Sequence, residues 1–215
     1  MLRVDLTENV TKTMDSLTVL QKQQLPFAIA RALTRTAAEF SMDALPKVME
    51  RQLDRPTPFT KRAGRYIPAT KENQTAKVYL APLQYRYLRF QIRGGLRIQK
   101  GFEAKYESIA QTIEKRQMVP GSAARLNQYG NVSRAAILKM GQEASVKGGK
   151  VFVGIPQGRN TFGVWQRDGK RLRAVFIEPK SQPSYKERLM LLPELENFAG
   201  QRFDFHFATS LALLD

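Results

Sequence analysis

An apolar stripe at helical spacing in the first quarter of the chain constrains the fold more than any other feature. Its members recur every three or four residues and are Leu25, Ile29, Leu33, Ala37, Phe40, Ala44 and Val48. Residues at this spacing share one face of an α-helix, and Arg31, Arg35 and Glu39 fall on a different face. The pattern therefore predicts an amphipathic helical region from about residue 18 to residue 53.

Two prolines set the expected limits of the helices in this region. Pro26 suits a first turn, where its missing N–H costs no hydrogen bond, so the long helix is predicted to begin near Gln24. Pro46 kinks or breaks a continuous helix because it cannot donate to the preceding turn. We therefore expect the long helix to end near Asp43 and a shorter helix to follow it.

Strand-like segments occur in two parts of the chain. Residues 65–70 and 75–80 flank a polar turn and predict a β-hairpin, whose first strand lies at a sheet edge because it contains Pro68. The last third holds three more strand-like runs, at residues 150–155, 162–167 and 172–178. Asp168-Gly169 is a typical tight-turn dipeptide, so the second and third runs are predicted to form a hairpin.

The middle of the chain favours helices. Residues 84–93 fit a short helix or a strand, which Gly94-Gly95 ends, and both interpretations stay open. Residues 134–144 are predicted as a helix capped by Ser133 or Asn131. A helix is also predicted over 102–116, with one stripe made of Phe102, Tyr106, Ile109 and Ile113.

The last periodic segment predicts a C-terminal helix from Pro193 to Leu214, with the proline in its first turn. Its inward-facing residues are expected to be Leu195, Phe198, Phe205 and Ala212.

These elements define an α+β fold class, because the strands are joined to their neighbours by turns and not by crossover helices. We expect the long N-terminal helix and the C-terminal helix to pack on a mainly antiparallel sheet, with long loops. A single domain over residues 1–215 is predicted, with an inserted Tyr/Arg-rich loop and helix region at about 82–132. Trp165 is expected to be buried where strand and helix meet.

The charge balance is strongly positive. Of the 215 residues, 35 are Lys or Arg and 19 are Asp or Glu, which gives a formal net charge of +16. Such an excess indicates an anionic partner, either nucleic acid or an acidic protein face. No apolar run approaches the ~20 residues that span a bilayer, so no membrane association is expected. The start, MLRVDLTENV, lacks the apolar core of a signal peptide.

Catalytic and metal-binding chemistry has little support in the sequence. The chain has no cysteine and one histidine, His206, which excludes thiol chemistry and a two-histidine metal site. Asp204 lies two residues from His206 and on a helix points to another face, so the two are not expected to form a catalytic pair. Gly149-Lys150 and Gly169-Lys170 both fail the phosphate-loop pattern. We expect no enzyme activity, no cofactor and no metal.

Two basic segments carry the strongest chemical signal. The first combines arginines with tyrosines, and its candidate residues are Tyr85, Arg86, Tyr87, Arg89, Arg93 and Arg97. The second surrounds the predicted tight turn and supplies Arg159, Arg167, Lys170, Arg171 and Arg173. Arginine binds phosphate or carboxylate through two parallel hydrogen bonds, and Tyr and Arg are enriched at protein interfaces. These residues are therefore candidates for a subunit interface or a DNA interface.

Several short segments resemble proteins of phage tails. LPFAIARALTRTAAEF (25–40), with its Thr34-Arg35 pair, resembles the opening helix of the phage minor tail protein Z family, the tail-completion proteins of long-tailed phages. DRPTPFT (54–60), MVPG (118–121) and LNQYGNVSRAAILKM (126–140) look like segments of prophage morphogenesis proteins. GVWQRDGK (163–170) and PSYKERL (183–189) look like the C-terminal half of the same group. The chain departs from the family in its longer, tyrosine-rich middle (82–132).

The resemblance implies a virion structural protein at the head–tail junction, in the neck or connector, or at a tail end, assembled in the host cytoplasm as a ring of identical subunits. Its expected partners are portal, adaptor or tail-tube proteins, with contact to packaged DNA. The loops at 54–64 and 117–132 would reach adjacent chains. Two alternatives stay open: a basic DNA-binding protein associated with phage DNA packaging, and a hydrolase that depends on His206.

Overall fold

The computed structural model describes residues 19–213, with side chains from residue 24 onward. The described residues form two compact units: unit 1 contains the chain up to Arg93 and again from Glu187, and unit 2 is Gly94–Lys186. The predicted helix limits at residues 18 and 214 and the start MLRVDLTENV lie outside the described residues. Unit 2 covers a longer stretch of the chain than the insertion expected at about 82–132. The single domain over 1–215 stays a prediction.

Helices account for 45% of the chain and strands for 17%, all paired antiparallel, so the predicted α+β class is confirmed. The helical segments are α1 (Val19–Glu39), a π-helical turn (Phe40–Ala44), α2 (Leu45–Gln52), α3 (Pro58–Lys61), α4 (Pro82–Arg93), α5 (Gly101–Ile109), α6 (Arg134–Ala144) and α7 (Leu191–Leu211). The strands are β1 (Gly64–Ile67), β2 (Lys77–Leu80), β3 (Gly95–Leu96), β4 (Val119–Pro120), β5 (Val151–Gly154), β6 (Gly163–Asp168), β7 (Arg171–Ile177) and β8 (Ser184–Tyr185).

The interruption predicted near Asp43 is a π-helical turn. Leu45 N–H donates to the Phe40 carbonyl five residues back, so one extra residue enters the helix immediately before Pro46. The π-helical turn therefore lies just before Pro46, which has no N–H to donate to the turn that precedes it. Strand β1 packs against the same turn at Gly64, where any Cβ would collide with the Ser41 carbonyl oxygen.

The start of the long helix was predicted wrongly. Helix α1 is described from Val19 onward, so a helical turn already precedes Pro26 and the proline is not in the first turn. The predicted boundary was placed at Pro26 because proline is common in the first turn of a helix.

The core of unit 1 consists of two clusters. One joins the π-turn and α2 to the β1–β2 hairpin, α4 and the start of α7, and includes Phe40, Leu45, Met49, Val78 and Leu88. In the other, the small residues Ala28 and Ala32 of α1 admit the phenyl rings of Phe203 and Phe207 from α7, whose stacked centroids are 5.7 Å apart. The two long helices thus pack on each other, and α1 also contacts β1.

On α7, the prediction of the inward face was partly wrong. Leu195 is buried and Phe198 half-buried, as expected, but Phe205 and Ala212 are exposed. The buried rings are those of Phe203 and Phe207, because they face the alanines of α1.

Both predicted hairpins are present, and residues 84–93 belong to a helix. Strands β1 and β2 pair from Gly64↔Leu80 to Ile67↔Lys77. In unit 2 the strand order is β4-β7-β6-β5, and the loop between β6 and β7 is Gly169-Lys170. Gly169 has φ +58° and the following lysine has a negative φ, which is the requirement of a type II′ turn.

The core of unit 2 lies between this sheet, α5 and α6, and contains Tyr106, Met118, Val151, Val164 and Phe176 among others. Trp165 is 2% exposed and its Nε1 donates to the Gly154 carbonyl at 3.1 Å, so its predicted burial is confirmed. Helix α6 has the predicted bounds, and its cap is Ser133, whose hydroxyl accepts from the Ala136 N–H.

Helix α5 is shorter than predicted. It ends at Ile109, and Gln111 adopts a left-handed φ of +56° that turns the chain away from the helix axis. Ile113, which was placed on the inward stripe, is consequently 92% exposed. The turned-back segment is held by the Glu107 carboxylate, which accepts from the Arg116 N–H at 2.6 Å.

Candidate interaction surfaces

Helix α4 carries five of the predicted interface residues in unit 1, of which four are exposed and Arg89 is half-buried. Arg86, Arg89 and Arg93 are spaced by three and four residues and therefore share one helix face, with Tyr85 and Tyr87 at its two sides. We call these five residues the Arg/Tyr face. The helix contains no acidic residue. The positive charge of this face is therefore not neutralised within its own helix.

The opposite side of α4 is fixed in the core, which orients the Arg/Tyr face outward. Leu88 is buried there, and the buried Gln84 side chain donates to the Phe59 carbonyl at 3.2 Å. Tyr87 is anchored by a 3.0 Å hydrogen bond between its hydroxyl and Thr60, and burial raises its pKa. Arg86 and Arg93 are exposed and have no side-chain partner among the residues that the structure describes. These two arginines are therefore free for an external anion.

An open apolar groove of about 650 Å³ lies beside this face in unit 1. We call it the α4 groove. Its lining residues come from the π-turn and α2, the β2 strand, α4 and the chain around the start of α7, and include Tyr79, Tyr85, Arg93, Met190 and Leu192. Met190 is 53% and Leu192 40% exposed, so apolar side chains stay in contact with water here. A surface of this kind is typical of a protein-binding site.

Arg97, the sixth residue of the first predicted set, is not part of any exposed surface. It is 6% exposed and donates two hydrogen bonds to the fully buried Glu103, at 2.7 and 2.9 Å. The same carboxylate accepts from the backbone N–H groups of Lys100 and Met118. The prediction of an interface role for Arg97 is therefore wrong, because its charge is neutralised in an ion pair inside unit 2.

The second predicted set lies in unit 2 and is exposed. Arg159, Arg167, Lys170, Arg171 and Arg173 all have exposed side chains. Three of them have a local contact. Arg173 pairs with Asp168 at 2.7 Å, and the guanidinium groups of Arg159 and Arg167 lie 4.9 and 4.5 Å from the ring centroids of Trp165 and Phe152.

His206 belongs to a polar contact between α1 and α7. Its Nε2 lies 2.6 Å from the Glu39 carboxylate, and Arg202 reaches the same carboxylate at 3.0 Å. Asp204 is exposed while His206 is buried, in agreement with the prediction that the two residues face different sides. Burial raises the pKa of Glu39, but the hydrogen bonds from His206 and Arg202 outweigh this effect and lower it overall.

Sequence reasoning missed the half-buried site at Glu39 and the buried site at Glu103. Glu39 and His206 are 167 residues apart, so no local pattern pairs them. Glu103 lies six residues after Arg97 in the first turn of α5, and this acidic residue close to an arginine was the available signal. Within residues 19–213, no cluster of three or more His, Asp or Glu side chains is arranged to hold a metal ion. None of the described helices is long and apolar enough to cross a membrane.

No family model, no curated protein and no solved structure matches the chain. The class that the fold itself defines is an α+β protein with two exposed basic surfaces, one on α4 and one on the β6–β7 hairpin.

Proposed function

We propose that the chain is a non-enzymatic structural subunit of a bacteriophage virion, located at the head–tail junction as a neck, tail-completion or tail-terminator protein. It forms a homo-oligomeric ring and binds portal, adaptor or tail-tube proteins. The observation that carries the proposal is the Arg/Tyr face beside the α4 groove. The family resemblance of the segments at 25–40 and 163–170 supports the place in the virion.

The composition of this surface suits a protein partner. Tyr and Arg supply much of the binding energy at protein interfaces, where an apolar centre is surrounded by polar residues. The α4 groove provides the apolar centre through Met190, Leu192 and Tyr79. Arg93 lines the groove and provides positive charge, and Arg86 lies on the same face of α4. Closing the groove removes this apolar surface from water, which favours association.

The shape of the surface favours a ring. A groove is filled by a different patch of the neighbouring subunit, so the contact is heterologous and not a two-fold pairing of identical patches. Heterologous contacts repeat from subunit to subunit and close into a ring when the rotation between neighbours divides a full turn.

Native mass spectrometry and negative-stain electron microscopy of the purified full chain test the assembly. We expect a closed ring with one copy number for the wild type, and monomers for Leu192→Asp, which places a charge in the groove. Ile113→Asp is the matched control, because Ile113 is 92% exposed and lies outside the α4 groove. A wild-type chain that stays monomeric at high micromolar concentration, or a groove variant that assembles normally, contradicts the proposal.

The place in the virion requires a separate measurement. Cryo-electron microscopy of a phage that encodes this chain is expected to show it as a ring between the capsid portal and the tail. Particles that lack the polypeptide would refute the assignment even if the isolated chain forms rings.

A further inference from the structure

The β6–β7 hairpin extends beyond the strands that flank it. Strand β5 pairs with β6 over residues 163–166, and the last contact on this side is the hydrogen bond from the Arg167 N–H to the Lys150 carbonyl at 2.8 Å. On the other side, the chain after β4 bonds to β7 no further than Ala174. The two central strands continue to pair with each other as far as Asp168↔Arg171. The hairpin is two-stranded beyond these contacts, and we call residues 167–173 the basic ribbon.

The charges of the basic ribbon are mostly unneutralised. It has four cationic side chains and one acidic side chain, Asp168, which is occupied by Arg173. Lys170 and Arg171 have no side-chain hydrogen bond or ion pair within the described part of the chain. Apart from Asp168, the charged side chains near Lys170 and Arg171 in the ribbon are also cationic and repel them. A bound polyanion would relieve this repulsion.

The positive charge is present on both faces of the ribbon. Side chains alternate between faces along a strand, and directly paired residues share a face. Arg171 therefore lies on the face of Asp168, and Arg167 lies on the other face with Leu172. An extended polyanion that runs along either side of the ribbon meets a cationic side chain.

Two guanidinium groups continue the positive surface along the sheet and are held in place by aromatic rings. Phe152 and Trp165 are paired across β5 and β6, so their rings share one face of the sheet. Arg167 lies over Phe152 and Arg159 over Trp165. Arg167 also donates from Nη1 to the Gly149 carbonyl, whereas the Arg159 guanidinium has no hydrogen bond within the described residues. Stacking holds each planar group in a fixed orientation and leaves its remaining N–H donors for a ligand, which lowers the entropy lost on binding.

The ribbon lacks the apolar centre of a protein interface. Leu172 is its single large apolar residue, and it is half-buried. This distinguishes the ribbon from the α4 groove, where apolar side chains are exposed. Contacts with a nucleic-acid backbone are polar and cationic, and arginine binds phosphate oxygens with paired hydrogen bonds. A two-stranded β-ribbon also fits the major groove of B-form DNA.

We propose that the basic ribbon, together with Arg159, binds the phosphate backbone of duplex DNA. The contact neutralises phosphates and needs no base recognition. This binding goes beyond the ring assembly proposed above and does not depend on it, since a monomer carries the complete site.

Fluorescence anisotropy of a labelled duplex, titrated with the full chain over a series of salt concentrations, measures the number of phosphates neutralised. The slope of log K against log salt is about −0.9 per neutralised phosphate. Lys170→Gln/Arg171→Gln is expected to reduce the magnitude of this slope by about 2 and to weaken binding on unrelated sequences equally. Both residues are exposed, and Trp165 fluorescence checks that the sheet of the variant is intact.

The matched control is Lys105→Gln/Arg134→Gln, which removes the same charge from two exposed residues at a different groove, between α5 and α6. We expect its slope to stay close to that of the wild type. Equal slope changes in the two variants would refute a site, because the net charge alone would then explain binding. A wild-type chain with no affinity at low salt also refutes the proposal, as does a ribbon variant that loses assembly but keeps its DNA affinity.

Discussion

Substitution of the buried carboxylate in unit 2, Glu103→Gln, is expected to lower the free energy of unfolding of that unit by at least about 3 kcal/mol. Glu103 is fully buried and accepts four hydrogen bonds, two from Arg97 and two from the N–H groups of Lys100 and Met118. Glutamine keeps one acceptor oxygen and points an NH₂ donor at the remaining donors. Breaking a buried ion pair by removing one partner costs about 3–5 kcal/mol, because the other charge is left uncompensated.

Urea unfolding followed by tryptophan fluorescence measures this loss in the correct unit. Trp165 is the only tryptophan of the chain and is buried in the sheet of unit 2. With a urea slope of about 1–3 kcal/mol per molar for a small unit, the midpoint is expected to fall by about 1 M or more.

Glu143→Gln is the control for this substitution. Glu143 lies 4.0 Å from Lys139 on the surface of α6, and such an exposed pair contributes less than about 1 kcal/mol. If the two substitutions shift the midpoint equally, the Arg97–Glu103 pair is hydrated and does not stabilise the unit as described.

Three further predictions concern the cap of α6, the contact between the long helices and a buried phenol. Ser133→Ala removes the hydroxyl that accepts from the Ala136 N–H and should cost about 1 kcal/mol in the same urea assay. The lowered pKa of Glu39 means that its stabilising effect is present above the pKa of the unfolded chain and is lost as the pH falls through the folded value. In the wild type the stability of α1 should thus decrease at acidic pH. Glu39→Gln should remove this part of the pH dependence, which hydrogen exchange of the α1 amides at several pH values measures. Burial raises the pKa of Tyr106 to about 12, so Tyr106→Phe should leave the phenolate absorbance of the native chain unchanged near pH 10, where exposed tyrosines ionise.

The parts of the fold that the sequence predicted well are those decided by a few neighbouring residues. Pro46 cannot donate a helical hydrogen bond, and the helix is interrupted immediately before it. Ser133 is followed by a helix whose N–H groups need an acceptor, and it is the cap. The tight turn after Asp168 requires a residue that tolerates positive φ, and Gly169 supplies it. In each case the determining interaction spans five residues or fewer.

Tertiary contacts decided the features that were predicted wrongly. The apolar spacing of α5 continues to Ile113, but the chain turns back after Ile109 and is held by the buried Glu107 carboxylate. The inward face of α7 depends on where α1 offers alanines, which selects Phe203 over Phe205. The apolar spacing alone fits a longer or a shorter α5, and it fits either phenylalanine on the inward face of α7. It cannot choose between them because it contains no information on the surface against which each helix packs.

The arginines illustrate the same limit for the candidate site, and a pair of substitutions in unit 2 tests it. Arg97 and Arg171 have the same charge and were both predicted at an interface, but the first contacts a buried carboxylate and the second has no side-chain partner within residues 24–213. Arg97→Gln leaves the Glu103 carboxylate buried with only two backbone donors, so it should unfold unit 2 at clearly lower urea concentration. Arg171→Gln should change the free energy of unfolding by less than about 0.5 kcal/mol and lower only the affinity for DNA. Similar destabilisation by both substitutions would mean that Arg171 also has a structural role, and the ribbon would then lose its status as a free cationic surface.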